Sequence, residues 1–390
     1  MTVIPGLEIL LSDQIDLLGG KKVGVICNPT SVDRHFNHII DLFWSDHRVN
    51  LTTIFGPQHG ARGETQDNMI EWESYTDDVT GLPVYSLYSE NRKPTTEMLA
   101  EVDILVFDIQ DVGARYYTFI YTMALAMKAC REQHIEMLVL DRPNPINGEV
   151  LEGPVLDPRL SSFVGMYPLP LRHGMTIGEL ANYFNQEMRI GCDLSIVQMK
   201  GWKRHMYFEE TNLPWVLPSP NIPTVDTALV YSGMCLFEGT NLSEGRGTTR
   251  PFEITGAPWI RPEEIIRDLR ENPLEGVHFR GCHVIPTFHK WHNKLIGGVQ
   301  IHITDRKLYK PVRTALSLLK SYRSVDVGRF RWKEPPYEYE YEKLPFDILC
   351  GDPEIRSKIE QNTPIDKIEL EWLPSLEKFQ KTRRQYLLYN

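Results

Sequence analysis

The first 145 residues carry five short apolar runs, most of them separated by stretches of helical period and most closing on polar side chains. The runs at 23–27, 51–55, 82–88, 103–109 and 137–140 are too short and too uniformly apolar for amphipathic helices, and they read as buried strands. The stretches 35–45, 96–102 and 119–133 read as helices. Buried strands alternating with helices close as right-handed β-α-β units, so the predicted class is α/β on a parallel sheet. A helix at 176–187 and a strand at 194–199 extend the same unit, while 215–227 is proline-rich and irregular. From 259 onward a strand at 298–304 and helices at 262–271 and 310–322 predict a smaller α+β domain. The expected division is therefore 1–258 and 259–390, and EPPYEYEYEKLPFD reads as an acidic, aromatic wrap over the surface.

Several function classes drop out on charge and composition. Lys and Arg number 42 against 52 Asp and Glu, and a net charge of −10 gives no counter-field for nucleic acid. No stretch approaches 18 uncharged apolar residues, so no membrane span is expected. Glu8, Asp13 and Asp16 interrupt the apolar N-terminal stretch, which lacks the basic start of a signal peptide, and a cytoplasmic location is expected. Six scattered cysteines form no C-x-x-C and read as reduced, buried thiols.

In open parallel sheets ligands bind beyond the carboxyl ends of the strands. Asn28 follows the first run, and Gln58, His59, Arg62 and Glu64 follow the second. Tyr88 closes the third. Asp108, Gln110, Asp111, Arg115 and Tyr116 follow the fourth, and Asp141, Arg142 and Asn144 follow the fifth. Each alone is equally well a turn former or helix cap, so the signal is the convergence of five strand ends. A second loaded segment runs from Glu238 to Thr249, with Asn241, Glu244, Arg246 and three glycines. Glycines let backbone approach a ligand, and carboxylates, hydroxyls and an arginine grip polyhydroxylated groups. Its plainer alternative is a glycine-rich turn with a surface ion pair. Pro218-Ser219-Pro220-Asn221 is a rigid turn that presents Asn221 or merely connects.

Neither G-x-x-x-x-G-K-[ST] nor G-x-G-x-x-G occurs, and H-E-x-x-H and G-x-S-x-G are also absent. Cys282, His283, His289 and His292 match no zinc spacing and read more readily as surface or packing residues. Trp202, Trp215 and Trp259 suit stacking on a sugar face, although aromatic burial is the default. The residues alone support an α/β enzyme with an acidic, arginine-bearing cleft for a carbohydrate. Glycoside cleavage needs a proton donor and a second group that stabilises the cation or activates water. Glu64, Asp108, Asp111, Glu238 and Glu244 form the pool, and sequence does not pair them.

The stretches FGPQHGARGE, LPVYSLY, ILVFDIQDVGARYYTFIYTM, VLDRPNP, EGPVL, SFVGMYPLPLRHGMTIGELA, LPSPNIPT and FEGTNLSEGRGTTRPFE together resemble the exo-β-N-acetylmuramidase (NamZ-like) family, formerly a domain of unknown function. The resemblance runs from about Gly20 to the final FQKTRRQYLLY. It implies a Rossmann-like parallel sheet domain that carries the catalysis and a second, smaller α+β domain, with the site in the cleft between them. The implied activity is release of terminal N-acetylmuramic acid (MurNAc) from peptidoglycan fragments, with no metal or nucleotide cofactor.

One departure stands out. The family carries a catalytic Glu where this chain has Gln58, and an amide cannot serve as general acid or base. Catalysis is then expected to rest on Glu64, Asp108 or Glu244. Alternatively, the chain binds or senses muropeptides without turnover, or the glutamine is an introduced trap for substrate. A nucleotide-dependent enzyme on the same sheet is the remaining alternative. Expected sugar contacts are Asn28, Gln58, His59, Gln110, Asp111, Tyr116, Asp141, Asn144, Asn221, Glu238 and Asn241. Arg115, Arg142 and Arg246 are candidates for the lactyl carboxylate, because a guanidinium fork matches it.

Overall fold

The structure is a computed structural model and describes residues 2–63, 65 and 69–390. The strands are β1 (Lys22–Cys27), β2 (Asn50–Gly56), β3 (Tyr75–Thr76), β4 (Pro83–Ser86), β5 (Ile104–Asp108), β6 (Glu136–Leu140), β7 (Glu152–Val155), β8 (Pro170–Arg172), β9 (Leu194–Val197), β10 (Ile254–Ala257), β11 (Val277–Val284) and β12 (Ile296–Ile303). The helices are α1 (Gly6–Asp13), α2 (Ile39–Ser45), α3 (Phe119–Gln133), α4 (Ile177–Glu187), α5 (Val225–Met234), α6 (Pro262–Glu271), α7 (Pro311–Val325), α8 (Pro345–Cys350), α9 (Pro353–Glu360) and α10 (Ile365–Arg383).

β1 is central because both its faces are apolar, and Val23, Val25, Ile26 and Cys27 are fully buried. It pairs in parallel with β2 on one side and β5 on the other, so that Val25 faces Ile54 and Val106. The seven-stranded order is β3-β4-β2-β1-β5-β6-β9, parallel except for β3 at the edge. The chain builds β1, β2 and β4 outward and then returns across β1 to begin β5. That reversal makes the gap beyond β1 and β5 the topological switch point, where such sheets usually hold ligands.

Two helices show how local sequence fixes the frame. α4 opens on a capping box in which Thr176 and Glu179 satisfy each other's backbone N–H. α3 ends at His134 in the left-handed region, where the cap N–H bonds the Cys130 carbonyl. The second sheet, β10-β12-β11, is antiparallel. Its neighbour α7 meets α5 closely at Gly233, where a Cβ would lie 2.0 Å from the Pro311 oxygen. α10 returns to the first sheet's side of the molecule, and Arg383 donates to the carbonyls of Gly148 and Gly174 at 3.1 and 2.8 Å. One contiguous apolar core runs through both regions. Among the described residues no helix is long and apolar enough to cross a membrane.

Two expectations need correction. Residues 96–102 form turns, with Ala100 and Val102 bonding carbonyls three residues back. Seven residues are too few to offset helix nucleation without a packed face. The acidic, aromatic segment does not simply wrap the surface: Tyr341 is 71% exposed, yet Tyr337 and Glu338 are 4% and 5% exposed. The sequence reading also missed α1, the β7–β8 hairpin, β11 and the three helices from α8 on.

Candidate active site

β2 ends at Gly56, where the chain doubles back so tightly that a Cβ would sit 2.5 Å from the Ala61 nitrogen. His59 follows at φ 72°. The Trp72 indole pins this turn by donating to the Pro57 carbonyl at 3.0 Å. The turn delivers Gln58 and His59 to a pocket beyond the end of β2. Tyr116, Tyr117, Thr118 and Phe119, from the segment after β5, form the next wall. Thr118 Oγ1 donates to Gln58 Oε1 at 3.3 Å. Asn221 closes a third side, Tyr231, Glu238 and Arg246 a fourth, and Tyr337 with Glu338 the last. The aromatic part of the lining is locked edge to face, with ring centroids at 5.4 Å for Tyr116–Tyr231 and 4.7 Å for Tyr231–Phe252.

Two buried carboxylates share this pocket in unlike surroundings. Glu238 stands in the short 3₁₀ turn Cys235–Gly239 and has both oxygens engaged. It accepts from Arg246 Nη2 at 2.8 Å and from the Tyr337 hydroxyl at 2.6 Å. Glu338 accepts from the Tyr88 hydroxyl at 2.8 Å. Among the described residues no cation lies within ion-pair distance of it. Burial pushes its carboxyl up to about 7; Glu238 adds to the rise, while Tyr88, Arg246 and Lys333 work against it. Burial also opposes the Arg246 charge, but Glu238 and Glu244 outweigh it and hold the guanidinium protonated. Asn221 Nδ2 is buried and has no hydrogen-bond partner among the described residues, an unspent donor in the lining.

The other residues singled out from sequence lie elsewhere. Asp108 takes both donors of Arg142, at 2.5 and 2.7 Å, in a buried ion pair beyond the ends of β1 and β5. Asn28 and Gln110 fasten the same region, Asn28 through Thr30 (2.6 Å) and Gln110 through the Pro143 carbonyl (2.6 Å). Asp141 accepts from Thr176, Gly178 and Tyr389, and Asn144 donates to Met175. Asp111 lies 3.2 Å from His173, and Asn241 secures the Arg329–Arg331 backbone. Arg115 is fully buried and donates to the carbonyls of Pro154, Leu169 and Leu349. Glu244 stands behind the pocket, with Lys290 at 2.9 Å and His289 at 3.0 Å. Burial raises the Glu244 carboxyl, but Lys290, the hydrogen bond from His289 and Arg246 prevail and hold it well below the carboxylate range. Trp202 packs on Tyr389, Trp215 on Phe208 and Trp259 on Trp291, all outside the pocket. Glu64 lies outside the described residues.

Of the expected residues the pocket thus gathers Gln58, His59, Tyr116, Asn221, Glu238 and Arg246. Sequence reasoning missed Tyr337 and Glu338. A tyrosine–acid alternation behind two prolines gave no signal of burial.

Comparison with known proteins agrees with this architecture. Residues 23–226 match the family model described as exo-beta-N-acetylmuramidase NamZ, N-terminal, and residues 229–389 match the C-terminal model of the same name. The pocket draws side chains from both matched segments. The chain is 48% identical over 387 residues to the peptidoglycan beta-N-acetylmuramidase NamZ of Bacillus subtilis, covering 98% of this chain and 91% of that protein. Two crystal structures of DUF1343 family proteins from Bacteroides fragilis share the fold. One has a TM-score of 0.90 at 36% identity and the other 0.80 at 31%, each covering 100% of this chain and 99% of its own. The chain belongs to the exo-β-N-acetylmuramidase NamZ family.

Proposed function

We propose that the protein is a glycoside hydrolase that releases terminal MurNAc from the non-reducing end of peptidoglycan fragments. The observation that carries this reading is the closed pocket with two buried carboxylates, Glu238 and Glu338, in different electrostatic settings. Glycoside cleavage uses such a pair. Of the three candidate arginines, Arg246 lines the pocket, which supports it as the contact for the lactyl carboxylate. The identity to a peptidoglycan beta-N-acetylmuramidase supports the substrate class. All six cysteines are buried, which supports work in a reducing compartment on recovered wall fragments.

Gln58 favours a second reading, in which the pocket binds muropeptides without cleaving them. A chromogenic β-MurNAc glycoside separates the two. Turnover by the chain as it stands supports the hydrolase. Release by the Gln58→Glu variant alone, with calorimetric binding retained by the native chain, supports the binder.

A further inference from the structure

We propose that Glu338 is the acid that protonates the departing glycosidic oxygen in this pocket, with Tyr88 as its positioning residue. The assignment rests on the hydrolase reading above and gives that site its proton donor.

A general acid must reach the pocket and hold a proton near neutral pH. Gln58 reaches the pocket, but an amide has no acidic proton to give. Glu238 reaches it, but both its oxygens already accept, one of them from a guanidinium. Glu244 stands behind the lining, fixed by Lys290. Asp108 is consumed by Arg142. Among the described carboxylates Glu338 remains: it lines the pocket, is 5% exposed, and has a hydroxyl rather than a cation as its close partner. Around it stand Tyr88 from the end of β4, Glu238 and Arg246 from the segment after α5, and Lys333, Tyr337 and Tyr339 from its own stretch. Burial and Glu238 together outweigh Arg246, Lys333 and the Tyr88 hydroxyl and push the carboxyl up to about 7. Two carboxylates held in unlike environments make an acid and an anion out of the same functional group. Glu338 and Tyr339 have φ of 45° and 65°, left-handed values that non-glycine residues rarely hold. The flanking contacts Tyr337–Glu238 and Tyr339–Glu71 hold this turn in place.

In the step itself the C1–O bond breaks and its electron pair goes to the glycosidic oxygen, which takes the Glu338 proton and leaves as an alcohol. Water adds to C1, and the proton it loses restores the Glu338 carboxyl.

The test compares two substrates. MurNAc-β-1,4-GlcNAc has a poor leaving group that needs a proton, whereas a dinitrophenyl β-MurNAc glycoside departs without one. In Glu338→Gln, kcat/KM is expected to fall about a hundredfold or more on the disaccharide and less than about tenfold on the aryl glycoside. The alkaline limb of the pH profile disappears with it. Tyr88→Phe keeps the ring and removes the donor that favours the carboxylate, so the same limb moves to higher pH. Equal losses on both substrates with the limb intact would overturn the assignment. So would a limb that survives Glu338→Gln and vanishes in Glu64→Gln. A native chain that cleaves neither substrate removes the hydrolase reading itself, and the assignment with it.

Discussion

Two clusters of buried charge sit at the carboxyl side of the same parallel sheet, and they differ in how fully their hydrogen-bonding capacity is used. At the switch point beyond β1 and β5, Asp108 takes two donors from Arg142, and Arg142 also reaches the Val32 carbonyl at 3.0 Å. The Asp108 carbonyl is met by the Ser31 hydroxyl. Asp141 next door accepts four donors through its side chain. In the pocket, by contrast, among the described residues Glu338 has one close partner and Asn221 keeps an unpaired N–H. Buried polar groups without a full set of partners are costly and persist where a ligand completes them. At the switch point, where this kind of sheet most often binds ligands, the carboxylates are spent on protein donors, whereas the proposed site beyond β2 keeps capacity in reserve.

The sharpest way to break the comparison is Arg142→Ala. Removing one partner of a buried ion pair strands the other, so Asp108 should be left uncompensated and the protein destabilised by about 3–5 kcal/mol. Chemical denaturation reads the loss, while activity per folded molecule stays close to that of the parent. A loss under about 1 kcal/mol together with collapsed turnover would mean that the switch point belongs to the reaction.

Asp141 gives a second, pH-dependent contrast. Burial pushes its carboxyl up to about 7, against the hydrogen bonds from Tyr389, Gly178 and Thr176 that favour the charged form. The ordinary value is 3.8, so between about pH 4 and 7 the folded state binds more protons than the unfolded one. Stability from this group is therefore full below pH 4 and drains away as pH rises through 7. Asp141→Asn should flatten that slope and raise stability at pH 8 by on the order of 1–3 kcal/mol. Thermal melts at pH 4.5 and 8 measure it, and an unchanged slope contradicts the argument.

The frame of the molecule was legible where apolar pattern alone decides structure. The expected helices at 119–133 and 262–271 coincide with α3 and α6, and each strand read in the first 145 residues is present. Half of the pocket was legible too, because Gln58, His59 and Tyr116 follow strand ends and Glu238 and Arg246 flank glycines. The residues Asn28, Asp108, Asp141 and Asn144 obey the same strand-end rule, yet Asn28, Asp141 and Asn144 tie backbone and Asp108 pairs with Arg142. Position along a strand does not say whether a side chain faces solvent space or a neighbouring donor. Tyr337 and Glu338 were hidden for the opposite reason. A tyrosine–glutamate alternation looks solvated until its partners are known, and those partners lie 99 and 250 residues away, at Glu238 and Tyr88.

The smallest effect sharpens the contrast most, because the two regions should answer with opposite signs. Asn221 is 5% exposed, and its Nδ2 is buried without an acceptor. In the unliganded protein that donor is a liability of about 1–3 kcal/mol, so Asn221→Ala should leave stability unchanged or slightly raised. With substrate present the same donor gains a partner, and its removal should raise KM about tenfold, the weight of one hydrogen bond, with kcat less affected. A scaffold residue such as Arg142 behaves the other way round, losing stability and sparing KM. If Asn221→Ala melts early and binds normally, the open donor is a packing defect, and the distinction between spent and unspent polar groups fails at the point where it is most exposed to test.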